Sequence, residues 1–120
     1  MKKILYIIML LTILNFSSTS FADSQEDICI CKEVISIFME QDSSSMRGDI
    51  LENGIPSICY NAKDGTLLHF KCQLLDGIAY WTTLPEPWTY NYPTYYYIDS
   101  GKLTLLNTTL GIWKTVPCPH

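Results

Sequence analysis

The amino-terminal segment constrains this chain most, because it has the layout of a cleaved export signal. A basic start precedes a largely apolar run of 11 residues, 4–14, and Ser20 and Ala22 supply small residues before a cut. The run is too short to cross a bilayer as a helix, which takes about 20 residues. We therefore predict a bacterial signal peptide at 1–22 and a secreted or periplasmic domain at 23–120 with no membrane span.

The mature chain would be small and acidic. Its 98 residues suit one domain, near the lower limit for a core that holds together unaided. It carries 6 basic and 12 acidic residues, a net charge of −6, which disfavours nucleic acid and anionic membranes as partners. All five cysteines lie in this part of the chain. Because exported proteins reside in an oxidising compartment, we predict that disulfides stabilise the domain.

Turn signals divide most of the mature chain into short strands. Asp64-Gly65 and Asp99-Ser100-Gly101 predict hairpins between runs rich in β-branched and aromatic residues. Residues 28–41 fit either a helix or a strand, and the alternation at their start favours a strand. We predict a mainly β fold, a small disulfide-stabilised barrel or sandwich with at most one short helix.

Five cysteines leave at least one thiol unpaired. Cys59 and Cys72 are symmetric about a four-residue turn in the first hairpin, and directly opposed residues lie within disulfide reach. We therefore predict a Cys59–Cys72 disulfide. Cys118 should join Cys29 or Cys31, and the other of these two should stay free.

The histidines and cysteines match no catalytic or metal-binding motif. His69 and Cys72 are three residues apart, but structural zinc sites usually show two Cys-x-x-Cys spacings or their histidine equivalents. His120 is the only other histidine, and the chain has no nucleophile elbow. We predict a protein that is not an enzyme and needs neither a metal nor another cofactor.

Aromatic residues concentrate between positions 80 and 97, which hold eight of the 12 in the mature chain. A tyrosine or tryptophan ring offers a flat apolar face with one polar atom, which suits a sugar ring or a protein surface. Three consecutive tyrosines on a strand must divide between its two faces, so at least one points outward. The alternative is that the rings build the core. The predicted ligand-binding residues are Trp88, Tyr92, Tyr95, Tyr96 and Tyr97.

Several short segments occur in an order that resembles the binding (B) subunits of pertussis-like bacterial toxins, the group of the subtilase and typhoid toxins. They are Ser57-Ile58-Cys59-Tyr60 with Lys71-Cys72, the tyrosine triplet 95–97, Gly101-Lys102-Leu103-Thr104-Leu105 and Ile112-Trp113-Lys114. The resemblance covers about half of the mature chain. It implies an oligomer-binding-fold barrel, a homo-oligomer and recognition of cell-surface glycans.

These observations predict an exported, non-enzymatic binding protein with carbohydrate as the preferred ligand, in the manner of a toxin B subunit. The alternative is a periplasmic protein-interaction or inhibitor protein that docks on another protein through the same aromatic surface.

Overall fold

One helix lies against one antiparallel sheet. The computed structural model describes residues 24–84 and 93–119, so the predicted signal peptide lies outside the described residues. Residues 24–39 form helix α1, and a 3-10 turn follows at Ser43–Ser45. The strands are β1 Arg47–Ile50, β2 Pro56–Asn61, β3 Leu67–Leu75, β4 Ile78–Thr83, β5 Thr94–Asp99, β6 Lys102–Asn107 and β7 Ile112–Pro117.

The seven strands curve into a half-barrel, and each pairs with the next in chain order. The prediction of a mainly β, disulfide-stabilised fold with at most one short helix is confirmed, with α1 as the one helix in the described part of the chain. The sequential order is a simple meander, whereas the oligomer-binding fold implied by the resemblance is a five-stranded Greek-key barrel. The observed strand order therefore differs from the one that the resemblance implies.

The ambiguous segment 28–41 is helical as far as residue 39, and the preference for a strand at its start was wrong. Ile30 and Val34 form one buried stripe at i, i+4 spacing, and Cys31 and Ile35 form a second. A helix that packs into a curved sheet buries more than one face of its surface. Apolar residues then occur at both odd and even positions, and the sequence resembles that of a strand buried on both faces. The helix ends at Glu40, whose φ of 53° lets Gln41 N–H bond the carbonyl of Ser36 at 3.2 Å.

The two stripes of α1 pack on different halves of the sheet's concave face. The first contributes to a cluster with Ala79, Leu103 and Leu105 from β4 and β6. The second joins a cluster built mainly on β2 and β3. Trp81 packs against both clusters, and its ring centre lies 5.1 Å from that of Phe38 on α1. The helix therefore unites both halves of the half-barrel into one interior.

Two disulfides fasten α1 at these same two places. Cys29 bonds Cys118, just beyond β7, and Cys31 bonds Cys72 on β3, each with Cα atoms 5.9 Å apart. Residues two apart on a helix point about 200° away from each other, so each cysteine reaches a different half of the sheet. The prediction that Cys118 joins this segment is confirmed. Neither helical cysteine is unpaired; Cys59 is the free thiol.

The predicted Cys59–Cys72 disulfide was wrong because the hairpin register differs from the assumed one. Asn61 pairs with Leu67, so a five-residue turn puts His69 opposite Cys59, three positions short of Cys72. A shift by an odd number of residues sends a side chain to the other face of the sheet. Cys72 therefore points into the interior, whereas Cys59 lies half-buried on the outer face.

A buried ion pair ties α1 to the last strand. Glu33 is 3 % exposed, and its Oε2 lies 3.0 Å from Nζ of Lys114 on β7. The other carboxylate oxygen accepts a hydrogen bond of 2.7 Å from the hydroxyl of Ser43. The carboxylate is thus satisfied from two sides, as a buried charge must be.

The disulfides indicate that the protein resides in an oxidising environment, extracellular or periplasmic. Within the described ranges, no helix combines the length and the apolar character that a bilayer crossing requires.

Gly48 of β1 lies directly against α1, and its replacement by alanine is expected to destabilise the fold. A Cβ at this position would overlap Cγ2 of Ile28 and lie 3.1 Å from Cδ1 of Ile58. Since a β-branched methyl cannot easily turn away, Gly48→Ala should lower the free energy of unfolding by about 1–3 kcal/mol. Denaturant unfolding tests this, with Arg47→Ala as the control. Gly54→Ala would be a poor control, because Gly54 has a positive φ that alanine disfavours. Equal stability of Gly48→Ala and wild type would contradict the close packing.

Candidate functional site

The candidate site lies on the outer, convex face of the sheet, opposite α1. Strand alternation sends Tyr95 and Tyr97 of β5 to this face, with 46 % and 67 % of their surfaces exposed. Tyr96 points to the concave side and packs against the interior cluster with Ala79 and Leu105. The expected division of the tyrosine triplet between the two faces is therefore observed.

The surroundings of Tyr96 differ from those of its neighbours. Burial, and next the carboxylate of Asp27 on α1, raise the pKa of the Tyr96 phenol. The ring is held between helix and sheet and does not share a surface with Tyr95 or Tyr97. The other two predicted ligand-binding residues, Trp88 and Tyr92, lie outside the described residues.

A row of apolar side chains crosses the outer face at right angles to the strands. Strand pairing aligns one residue from each of β3 to β7, so five side chains stand side by side. Four of the five expose more than a third of their surface, and Trp113, at 79 %, exposes most. This outer apolar row consists of Leu75, Ile78, Tyr95, Leu106 and Trp113.

The next row on the same face is more polar. Tyr97 pairs with Thr104, which pairs with Thr115 on β7, and the two threonine hydroxyls lie 3.3 Å apart. An exposed aromatic ring thus has two hydroxyl groups beside it in the same row.

An open groove follows this polar row, at the turn between β5 and β6. Its volume is about 430 Å³, and it is lined by Ser100, Gly101, Lys102, Thr115, Val116 and Pro117. The turn residues Ser100 and Gly101 have φ of 50° and 77°, the conformation of a two-residue hairpin. Cys118 N–H bonds the carbonyl of Gly101 at 2.8 Å and holds the end of β7 against the turn. The groove combines an ammonium and hydroxyl groups with an apolar wall.

The histidine and cysteine considered for a metal site are separated. His69 stands opposite Cys59 on the outer face, while Cys72 is committed to a disulfide inside. Among the residues that the structure describes, no group of three His, Cys, Asp or Glu side chains is placed to hold a metal ion. That the protein is not an enzyme stays a prediction.

Sequence reasoning missed Leu106 and Trp113 as members of an exposed surface. The signal was present in the strand Ile112–Pro117, where Trp113 has the parity opposite to the inward-facing Ile112 and Val116. Only the register of β7 against β6 shows that Trp113 stands beside Leu106 and, beyond it, Tyr95.

Comparison with protein-family models, with curated proteins and with solved structures finds no match to this chain.

Proposed function

We propose that this protein is exported by a cleaved signal peptide and acts outside the cytoplasm as a non-enzymatic carbohydrate-binding protein. The observation that carries the proposal is the exposed Tyr97 ring in a row with two threonine hydroxyls, next to the groove at Lys102. Membership of a toxin, as a glycan-binding B subunit, stays a prediction from the sequence resemblance.

The chemistry of this corner suits a sugar. A pyranose presents an apolar face for an aromatic ring and hydroxyl groups around its rim, and tyrosine offers the ring with little conformational freedom to lose. Hydroxyl groups of Thr104, Thr115 and Ser100 can donate to or accept from sugar hydroxyls, and the Lys102 ammonium donates. A groove of about 430 Å³ lies within the range of small-molecule sites.

The supporting strands also suit the role. Tyr97 and Thr104 are paired across the neighbouring antiparallel strands β5 and β6 rather than placed on a loop. A binding constellation on a sheet keeps its geometry without ligand, so little ordering cost is left for the binding step.

Tyr97→Ala is expected to abolish carbohydrate binding without harming the fold. An exposed ring should contribute under about 1 kcal/mol to stability, while loss of a central stacking ring should weaken binding by at least about thirtyfold. A glycan array on the oxidised mature protein identifies the bound sugar, and titration calorimetry with that sugar measures the variant.

Tyr95→Ala is the matched control, because it removes a tyrosine from the same face of the same strand, one row away. It should bind the sugar like the wild type. The proposal fails if no glycan binds, or if the two variants bind equally well.

The alternative function, a periplasmic interaction or inhibitor protein, is favoured by a different observation. The outer apolar row has the Tyr, Trp and Leu side chains of a protein contact and no ionised group. If this function is the true one, Trp113→Ala rather than Tyr97→Ala should remove binding to the partner protein.

A further inference from the structure

Within residues 24–84 and 93–119, the backbone of β7 is bonded to a neighbouring strand on one side and not on the other. No strand lies beyond it in the sheet that the structure describes. Cys118 N–H bonds the Gly101 carbonyl, and the β6–β7 register continues from there without interruption. In an antiparallel pair, only every second residue of a strand forms backbone hydrogen bonds with a given neighbour. The backbone N–H and C=O groups of residues 112, 114 and 116 therefore point towards β6. The N–H and C=O groups of Trp113 and Thr115 therefore point to the open edge.

This edge lacks the features that usually prevent strand pairing. Edge strands are normally kept apart by short length, outward charges or proline. β1, at the opposite edge, has only four residues and exposes Arg47 and Asp49. β7 has six, its proline comes last, and its one charged residue, Lys114, is paired with Glu33 of α1.

We propose that β7 pairs antiparallel with β7 of a second copy of this chain, about a two-fold axis at Lys114. Trp113 then lies opposite Thr115 of the second copy, and each such pair exchanges two hydrogen bonds between groups that already face the edge. An axis at Thr115 would instead place Pro117, which has no N–H, opposite Trp113. The two-fold arrangement uses the same strand on both copies, as symmetric dimers do.

The side chains of β7 fit this register. On the outer face Trp113 of each copy meets Thr115 of the other, and on the inner face Ile112 meets Val116. Aromatic and β-branched cross-strand pairs are favourable ones. The only like charges brought together are the two Lys114 ammonium groups, and each has a Glu33 carboxylate at 3.0 Å in its own copy.

The dimer goes beyond the proposed carbohydrate binding and does not depend on it. The sugar would stack on Tyr97 of β5, which lies two strands away from the β7 edge. Thr115 belongs to both, since its hydroxyl lies in the polar row and its backbone would pair in the dimer. Tyr97→Ala should leave the dimer intact, so failure of either proposal can be recognised separately.

Hydrogen exchange at rising protein concentration tests the register directly. The mature protein should carry Cys59→Ala, so that no intermolecular disulfide through the free thiol contributes. In the dimer the amides of Trp113 and Thr115 should gain protection together, by at least about tenfold, while those of Lys114 and Val116 are already protected by β6. Unchanged exchange of Trp113 and Thr115 at every concentration would overturn the proposal, as would protection confined to other strands.

The molar mass, measured by light scattering on protein eluted from a size-exclusion column, gives the second readout. The wild type should reach twice the monomer mass, and Thr115→Pro should remain monomeric because proline removes an edge-facing donor and blocks the approach of the other strand. Thr115→Val keeps the N–H and should dimerise like the wild type. If Thr115→Pro does not fold, Trp113→Ala should raise the dimer Kd by at least about thirtyfold. A monomeric wild type, or variants that all dimerise equally, would overturn the proposal.

Discussion

Replacing Cys31 and Cys72 together by alanine is expected to lower the free energy of unfolding by about 3–4 kcal/mol. The disulfide spans 41 residues, and its loss frees the unfolded chain while leaving two small gaps at fully buried positions. For a domain of this size the melting temperature should fall by about 15–25 °C. Calorimetric melting of the oxidised proteins, with Cys29–Cys118 intact in both, measures the difference.

Cys59→Ala is the matched control, since it removes a cysteine that has no disulfide partner. Its melting temperature should stay within a few degrees of the wild type, because the thiol is only half-buried on the outer face. A loss from Cys59→Ala as large as that from the double variant would contradict the disulfide pairing described here.

Lys114→Met is expected to cost about 2–3 kcal/mol, more than the loss of its partner Glu33. The lysine is 39 % exposed, whereas the glutamate side chain is 4 % exposed. Without Lys114 the buried carboxylate keeps its hydrogen bond from the Ser43 hydroxyl but loses the ion pair with the ammonium, and the loss of one partner of a buried pair is costly. The exposure of the lysine places the cost below that of a fully buried pair.

Glu33→Gln should cost about 1 kcal/mol, since Lys114 can turn to water and the amide oxygen can still accept from Ser43. The double variant Glu33→Gln/Lys114→Met should be more stable than Lys114→Met alone, because it leaves no buried charge. Urea unfolding of the three variants completes the cycle. A Lys114→Met variant as stable as the wild type would show that the ion pair does not support the fold.

The fold class could be predicted from the sequence because turn chemistry is local. Asp64-Gly65 and Asp99-Ser100-Gly101 each form the turn of a hairpin, and Gly65 and Gly101 adopt the positive φ that these positions need. The disulfide pairing could not be predicted, because it depends on where the first turn begins as well as on its length: a five-residue turn at 62–66 in place of a four-residue turn at 64–67 shifts the register by three residues. Hydrogen bonds from Thr66 N–H to the Asp64 carboxylate, and from Ala62 N–H to the Thr66 carbonyl, stabilise the longer turn. The hydrogen bonds from Thr66 hold the pKa of Asp64 below its usual value.

The helix could not be distinguished from a strand using residues 28–41 alone, since apolar side chains occupy both odd and even positions from Ile28 to Cys31 and again at Val34 and Ile35. The curved sheet on which this segment packs determines that it is a helix, and that sheet is assembled from strands distant in the sequence. The same holds for the candidate site. Tyr97 was expected from its place in the tyrosine triplet, but the hydroxyls of Thr104 and Thr115 reach it only through pairing across three strands.

The Cys29–Cys118 disulfide has a mechanical consequence. Its sequence separation is 89 residues, and every strand of the sheet lies inside the loop it closes. Tension applied to the two ends of the chain therefore passes through one covalent bond beside α1, and the hydrogen-bonded strands carry none of the load. About 300 Å of extensible chain stays locked until that bond is reduced, so the domain should lengthen under force only in the presence of a reductant.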